Sequence, residues 1–454
     1  MKLIKSTLFF LAFSVSIAIA KPGMVYTFNF EASVIHVSLR YNPIEKNSTV
    51  FEYGHKHSHG VSSSLKDLVN LQSNVTFKTD SANNSITFFH PANDIVLVQY
   101  DIINTHINAQ KSLGDAYKPI ITDSYIFSFS NALFLKPILN NRQYHKMKMS
   151  VQYTAAKAFP LFFSFAPTLQ PKEEVTINLH EGINGVVCGA SNLHMEERIT
   201  GGTKNYIVLC EQSEASQNLP SFMNYIDTFI PTLSEFWGKT QEKVYTIIAS
   251  PFFDQNHNHI SSIAFKAGCH IKYSGDKILT NQEAIISVSR EMMQKFIGSD
   301  NLAMNSDNQW FNKGFTDYNT WLLLKYSGLI SEMDLKNTLS DTYRNLLKNP
   351  ASTIPKSEIL NHSWNNHEDE KLPYQRGALF AAYINKQISS LNEEGKTYQS
   401  FMRSLMNRSI KKNRDLTPKD FLKVASNYLP KKEIEHALQE YIMAGRFIPP
   451  SQIL

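Results

Sequence analysis

The side chains best placed to do chemistry fall in two segments. Arg290-Glu291-Met292-Met293-Gln294 lies in a stretch of helical period, and Lys313 follows inside Trp310-Phe-Asn-Lys-Gly-Phe-Thr-Asp-Tyr318, with residues 295–312 between them. Positions i and i+4 of a helix share a face, so Arg290 and Gln294 are presented together with Glu291 beside them. Two cations and one carboxylate at such a point can pair and hold helices together. They can instead keep positive charge for the carboxylate or phosphate of a ligand. Other donor groups are weaker candidates. His55, His57 and His59 alternate in Gly54-His-Lys-His-Ser-His-Gly60, which reads as a solvated turn before it reads as a metal site. Asp254-Gln-Asn-His-Asn-His259 lacks the glycine and terminal glutamate of a calcium loop. Cys269 and His270 are adjacent, and neighbours on a strand point to opposite faces. The chain contains no Gly-x-Ser-x-Gly elbow for a serine hydrolase.

The elements that must position these groups are legible in the hydrophobic pattern. Ile285, Val288, Met292 and Phe296 recur at spacings of three and four, which predicts an amphipathic helix over 281–297. Thr280-Asn-Gln-Glu283 reads as its capping box, and Gly298 stands just past its end. Upstream, from Val25 to about Cys210, apolar and polar residues alternate in runs such as 34–39, 85–89 and 151–153, which predicts an antiparallel β domain. The period turns helical over 219–237, and Lys243-Val-Tyr-Thr-Ile-Ile-Ala249 reads as one buried strand. From Trp310 onward the pattern is helical, with helices expected over 335–348, 374–387, 398–407 and 433–444.

The spacing of Arg290, Gln294 and Lys313, the Trp310-Phe311 and Gly314-Phe315-Thr316-Asp317-Tyr318 context, and the later Tyr374-Gln-Arg-Gly-Ala378 together resemble the glycyl aminopeptidase family of gluzincin metallopeptidases. The resemblance runs from about Val25 into the C-terminal helices. In that family two histidines on one helix and a glutamate on the next bind zinc, and a glutamate between the histidines is the general base. Carried over, Arg290, Gln294 and Lys313 replace the three ligands, so neither zinc nor another metal is expected as a cofactor. An arginine keeps its proton, a lysine must lose one, and a glutamine is a weak ligand. Glu291 keeps the base position, and Tyr374 matches the tyrosine that donates to the oxyanion in this clan. The segment that binds the substrate's amino terminus falls near Ser261-Ser-Ile-Ala-Phe265, with Ala264 in place of its glutamate. Members commonly end in a PDZ domain, for which this chain stops too soon. Counting Arg290 and Lys313 against Glu291 alone, the pocket is expected to be cationic.

These readings imply an α+β multidomain fold: a signal peptide over residues 1–20, an N-terminal antiparallel β domain over 21–212, a thermolysin-like mixed α/β domain over 213–330 and an α-helical C-terminal domain over 331–454. The leader has a positive start, an apolar run from Leu8 to Ala20 and the small-x-small ending Ala18-Ile19-Ala20, so cleavage after Ala20 and a secreted or periplasmic destination are expected. No later segment reaches the roughly 20 apolar residues that span a bilayer. The chain has 454 residues, 42% of them apolar, and a formal charge of +5 without a block of like charge, which gives no support for nucleic acid as a partner. Cys188 and Cys210, at the ends of expected strands, are a possible disulfide pair whose spacing leaves the bond open either way. The expected function is a catalytically inactive pseudopeptidase that binds a peptide or protein in the substrate cleft. Two rivals remain: an active metallo-aminopeptidase with ligands such as His257, His259 or His270, and a partner-binding protein whose cleft is plugged by Met292, Met293 or Phe296.

Overall fold

The computed structural model describes residues 23–454 except 32, 55, 58–59, 62–64, 93, 104–118, 123–124, 156–159, 168–173, 201, 211–218, 239–243, 252–260, 266–267, 274–281, 299–301, 303, 305 and 364–370. The leader, the capping box at 280–281, His55, His59 and the 254–259 loop therefore lie outside the described residues. The chain is α+β: β sheets come first, a mixed unit follows, and helices complete it.

Alternation builds the N-terminal sheets. Met24–Phe30 buries every second residue, placing Met24, Tyr26, Phe28 and Phe30 on one face. That strand sits inside a six-stranded sheet ordered Glu174–Asn178, Lys148–Ala155, Met24–Phe30, Val34–Tyr41, Val96–Ile103 and Leu68–Ser73. The face packs on a second sheet that includes Ser48–Glu52 and Ser85–Phe89, and Phe51, Phe88 and Phe134 fill the core between them. One pairing departs from the expected antiparallel pattern: Met24–Phe30 runs parallel to Lys148–Ala155.

A five-stranded mixed sheet follows, ordered His194–Thr200, Thr203–Leu209, Val244–Pro251, Gly268–Tyr273 and Ser261–Phe265. Its three inner strands are mutually parallel. The boundary expected at 212 falls inside this sheet, because Thr203–Leu209 pairs with Val244–Pro251, so the mixed unit begins by His194. Both faces of the sheet are covered, which accounts for the apolar residues that face both ways along Ile247, Ile248 and Ala249. Ile247, Ala249, Cys269 and Ile271 pack under helices Leu219–Trp237 and Gln282–Gln294. Val208, Ile248 and Phe265 meet Phe127, Phe162 and Cys188 of a four-stranded sheet on the other side. Cys188, Cys210 and Cys269 are buried free thiols, so no bond joins Cys188 to Cys210 in this structure.

Helices Gln282–Gln294, Thr316–Tyr326, Glu332–Lys348, Leu372–Leu391 and Tyr398–Lys412 form most of the remainder. Gly298, four residues past the end of the first of these, stands at φ 82°, the left-handed conformation a glycine reaches without strain. The helix expected over 433–444 is split, α-helical over Lys431–Ala437 and a wider π turn over Leu438–Met443. Among the described residues no helix is long and apolar enough to cross a membrane.

Candidate functional site

The Gln282–Gln294 helix turns Ala284, Val288, Met292 and Met293 into the core, and Phe296 stacks on Trp237 just beyond it. Met292, Met293 and Phe296 are thus core packing, not a plug in a cleft. The other side of the helix carries Arg290, Glu291 and Gln294.

Lys313 arrives on a π-helical turn, Trp310–Phe315, that leads directly into Thr316–Tyr326. This turn is pressed against the Leu372–Leu391 helix at a crossing of two glycines. A Cβ on Gly377 would stand 1.8 Å from the Trp310 carbonyl oxygen, and one on Gly314 would stand 2.4 Å from the Gly377 Cα. Only backbones without side chains approach so closely. The crossing brings Tyr374 beneath the Arg290 guanidinium, 5.8 Å from ring centroid to Cζ, a cation–π distance.

The sequence-assigned residues do converge. Lys313 Nζ donates to Gln294 Oε1 at 3.4 Å, and Gln294 Nε2 donates to Glu291 Oε2 at 2.9 Å. Two further members were not singled out. Ser262, on the edge strand Ser261–Phe265, donates to Glu291 Oε1 at 2.9 Å. Asp317 accepts from Arg290 Nε at 2.5 Å, while Arg290 Nη1 stands 3.8 Å from Glu291 Oε1. Asp317 was visible in the sequence as part of the Gly-Phe-Thr-Asp-Tyr run. Its pairing with Arg290 was not, because the pair joins two helices.

Asp317 changes the charge count. Arg290 and Lys313 are matched by Glu291 and Asp317, so the four charges sum to zero and the expected cationic pocket is not present. Asp317 and Glu291 hold the Arg290 guanidinium charged, with its pKa pushed further above the usual arginine range despite burial. Lys313 is pushed down from its usual value, first by burial and then by the Arg290 charge. Glu291 is 3% exposed, and its two carboxylate oxygens receive Ser262 and Gln294.

This donor set does not fit zinc. Arg290 has no lone pair to offer, Gln294 spends its oxygen on Lys313 and its amide on Glu291, and Lys313 would have to lose its proton before it could ligate. Among the described residues no three His, Cys, Asp or Glu side chains gather as a metal-ligating group. His270 supplies no alternative. It lies between Cys269 and Ile271, which face the helix, so it points to the opposite side of the sheet. There it stacks on Phe127 at 3.7 Å and shares a 2.8 Å hydrogen bond between Nε2 and Ser250 Oγ. His257 and His259 lie outside the described residues.

No family model and no curated protein matches the chain. Solved structures do. An aminopeptidase N family protein from Idiomarina loihiensis superposes with a TM-score of 0.74 at 15% identity, over 94% of this chain and 77% of that one. An M1 zinc metallopeptidase variant from Deinococcus radiodurans, bound to a Tyr-Ser-Ala substrate, gives 0.59 at 12% identity over 94% of both chains. Yeast LTA4 hydrolase gives 0.54 at 12% identity, over 94% of this chain and 68% of that one. The chain therefore has the α+β fold of the M1 aminopeptidases.

Proposed function

We propose that this protein is an exported, non-hydrolytic relative of the zinc aminopeptidases that binds an extended peptide or protein segment beside the Ser261–Phe265 strand. The observation that carries this reading is the closed network around Glu291. A general base needs a lone pair facing a metal-activated water. Here the carboxylate is held by Ser262 and Gln294, and Arg290 and Lys313 stand where the resemblance puts ligands. The Arg290–Asp317 pair joins the two helices that a metal would otherwise bridge. Peptide binding is supported by the edge position of Ser261–Phe265, since an outer strand can accept one more strand through main-chain hydrogen bonds. Export is supported by the apolar run at Leu8–Ala20.

The test combines zinc analysis by plasma mass spectrometry with hydrolysis of a panel of amino-acid amides, with and without chelator. No stoichiometric zinc and no chelator-sensitive turnover are expected. About one zinc per chain with chelator-sensitive turnover would overturn the reading. The triple variant Arg290→His, Gln294→His, Lys313→Glu is expected to acquire zinc, and failure to do so would argue against the ligand positions assigned here. Binding is read by hydrogen exchange with Tyr-Ser-Ala and longer extended peptides. Slowed exchange is expected in the Ser261–Phe265 amides, and unchanged exchange there at saturating peptide would remove the strand-addition claim. Amino-terminal sequencing of exported protein should begin at Lys21.

A further inference from the structure

Arg376 follows Tyr374 by two residues, but its guanidinium meets different neighbours. It is 4% exposed, and Nη2 donates to the carbonyl oxygens of Ser352 at 2.9 Å and Ile354 at 2.8 Å. Gly445 is packed against the same group: a Cβ there would lie 2.7 Å from Nη2. Nε and Nη1 are buried without a hydrogen-bond partner. Burial pulls this arginine down to about 10, and no carboxylate among the described residues acts on it. A buried charge normally persists because something pairs with it or is coordinated by it.

A cavity of about 30 Å³ adjoins Arg376, lined also by Asp307, Trp310, Lys356, Pro373 and Ile442. Asp307 acts on Lys356, partly opposing the effect of its burial, so those two charges answer each other. Among the described residues no carboxylate pairs with the guanidinium on the wall. Space of that size takes a water molecule, and it equally admits a monatomic ion.

We propose that this cavity binds one small monovalent anion of the halide class, held by Nε and Nη1 of Arg376 with Lys356 on its wall. The anion would link the Leu372–Leu391 helix, through Arg376, to the Lys356–Ser363 helix, through Lys356. The proposal is independent of what the Glu291 network does.

Thermal unfolding of the full chain in sodium chloride, sodium bromide and sodium gluconate at equal ionic strength tests it. A saturable rise in Tm with chloride and bromide is expected, with none in gluconate, which supplies the same ionic strength without a halide. Arg376→Gln should abolish the halide-specific rise. Should Arg376→Gln not fold, Lys356→Gln takes its place: a halide midpoint weakened on the order of tenfold supports the site, and an unchanged midpoint overturns it. Crystals soaked in bromide should show an anomalous peak within hydrogen-bond distance of Nε or Nη1. Equal Tm in all three salts overturns the proposal even with such a peak, which would then mark an adventitious ion only.

Discussion

Asp317→Asn removes the charge that holds Arg290 across the gap between the Gln282–Gln294 and Thr316–Tyr326 helices. Deleting one partner of a fully buried pair costs about 3–5 kcal/mol, while an exposed pair contributes only about 0.2–1 kcal/mol. Arg290 is 26% and Asp317 16% exposed, so the cost should fall between these limits, at about 2 kcal/mol. Arg290 keeps Glu291 at 3.8 Å in this variant, which holds the loss toward the lower side. Arg290→Met is worse, because Glu291, 3% exposed, and Asp317 then lose the cation they share; about 3 kcal/mol is expected. In the double variant the losses should not add, and a coupling energy of about 1–2 kcal/mol should appear. Urea unfolding followed by far-ultraviolet circular dichroism, with all four proteins sharing one denaturant slope, measures the cycle. Single losses that add to within about 0.5 kcal/mol would refute the claim that this pair ties the helices.

Lys313→Met should raise stability at neutral pH, because burial and the Arg290 charge disfavour the ammonium. The folded pKa lies below the ordinary 10.5, so the unfolded chain holds the extra proton between the two values and the wild-type protein gains stability as pH rises through that window. The advantage of the methionine variant should therefore shrink toward pH 10.5; an advantage independent of pH would contradict the assignment. Gly377→Ala places a methyl against the Trp310 carbonyl, a backbone atom that cannot swing aside, and should cost about 3 kcal/mol or more in thermal or urea unfolding. Unchanged stability would mean the two helices cross elsewhere. His36 pairs with Asp101 at 2.6 Å and is 41% exposed, and that hydrogen bond raises its pKa. Its stabilisation is present below the unfolded value of 6.5 and is lost as pH rises through the raised folded value. His36→Gln should cost roughly 0.5 kcal/mol near pH 5.5 and nothing near pH 9, and an equal cost at both would exclude the ion pair.

The sequence by itself determined the local elements. Alternation placed the strands at 34–39 and 85–89, and the apolar period placed the Leu219–Trp237 helix and the face that Arg290 shares with Gln294. These features depend on residues a few positions apart, whose geometry the backbone period dictates. Tertiary structure decided the rest. The parallel pairing of Met24–Phe30 with Lys148–Ala155 needs strands from distant parts of the chain, and the sheet that crosses residue 212 unites segments that composition had divided. The π turn at Trp310–Phe315 stands against a helix crossing at Gly377 that no local pattern announces. The charge of the site turned on the same kind of contact. Asp317 read as one more polar residue until packing set it 2.5 Å from Arg290, because a charge takes its meaning from the partner that the fold delivers, and that partner comes from another helix.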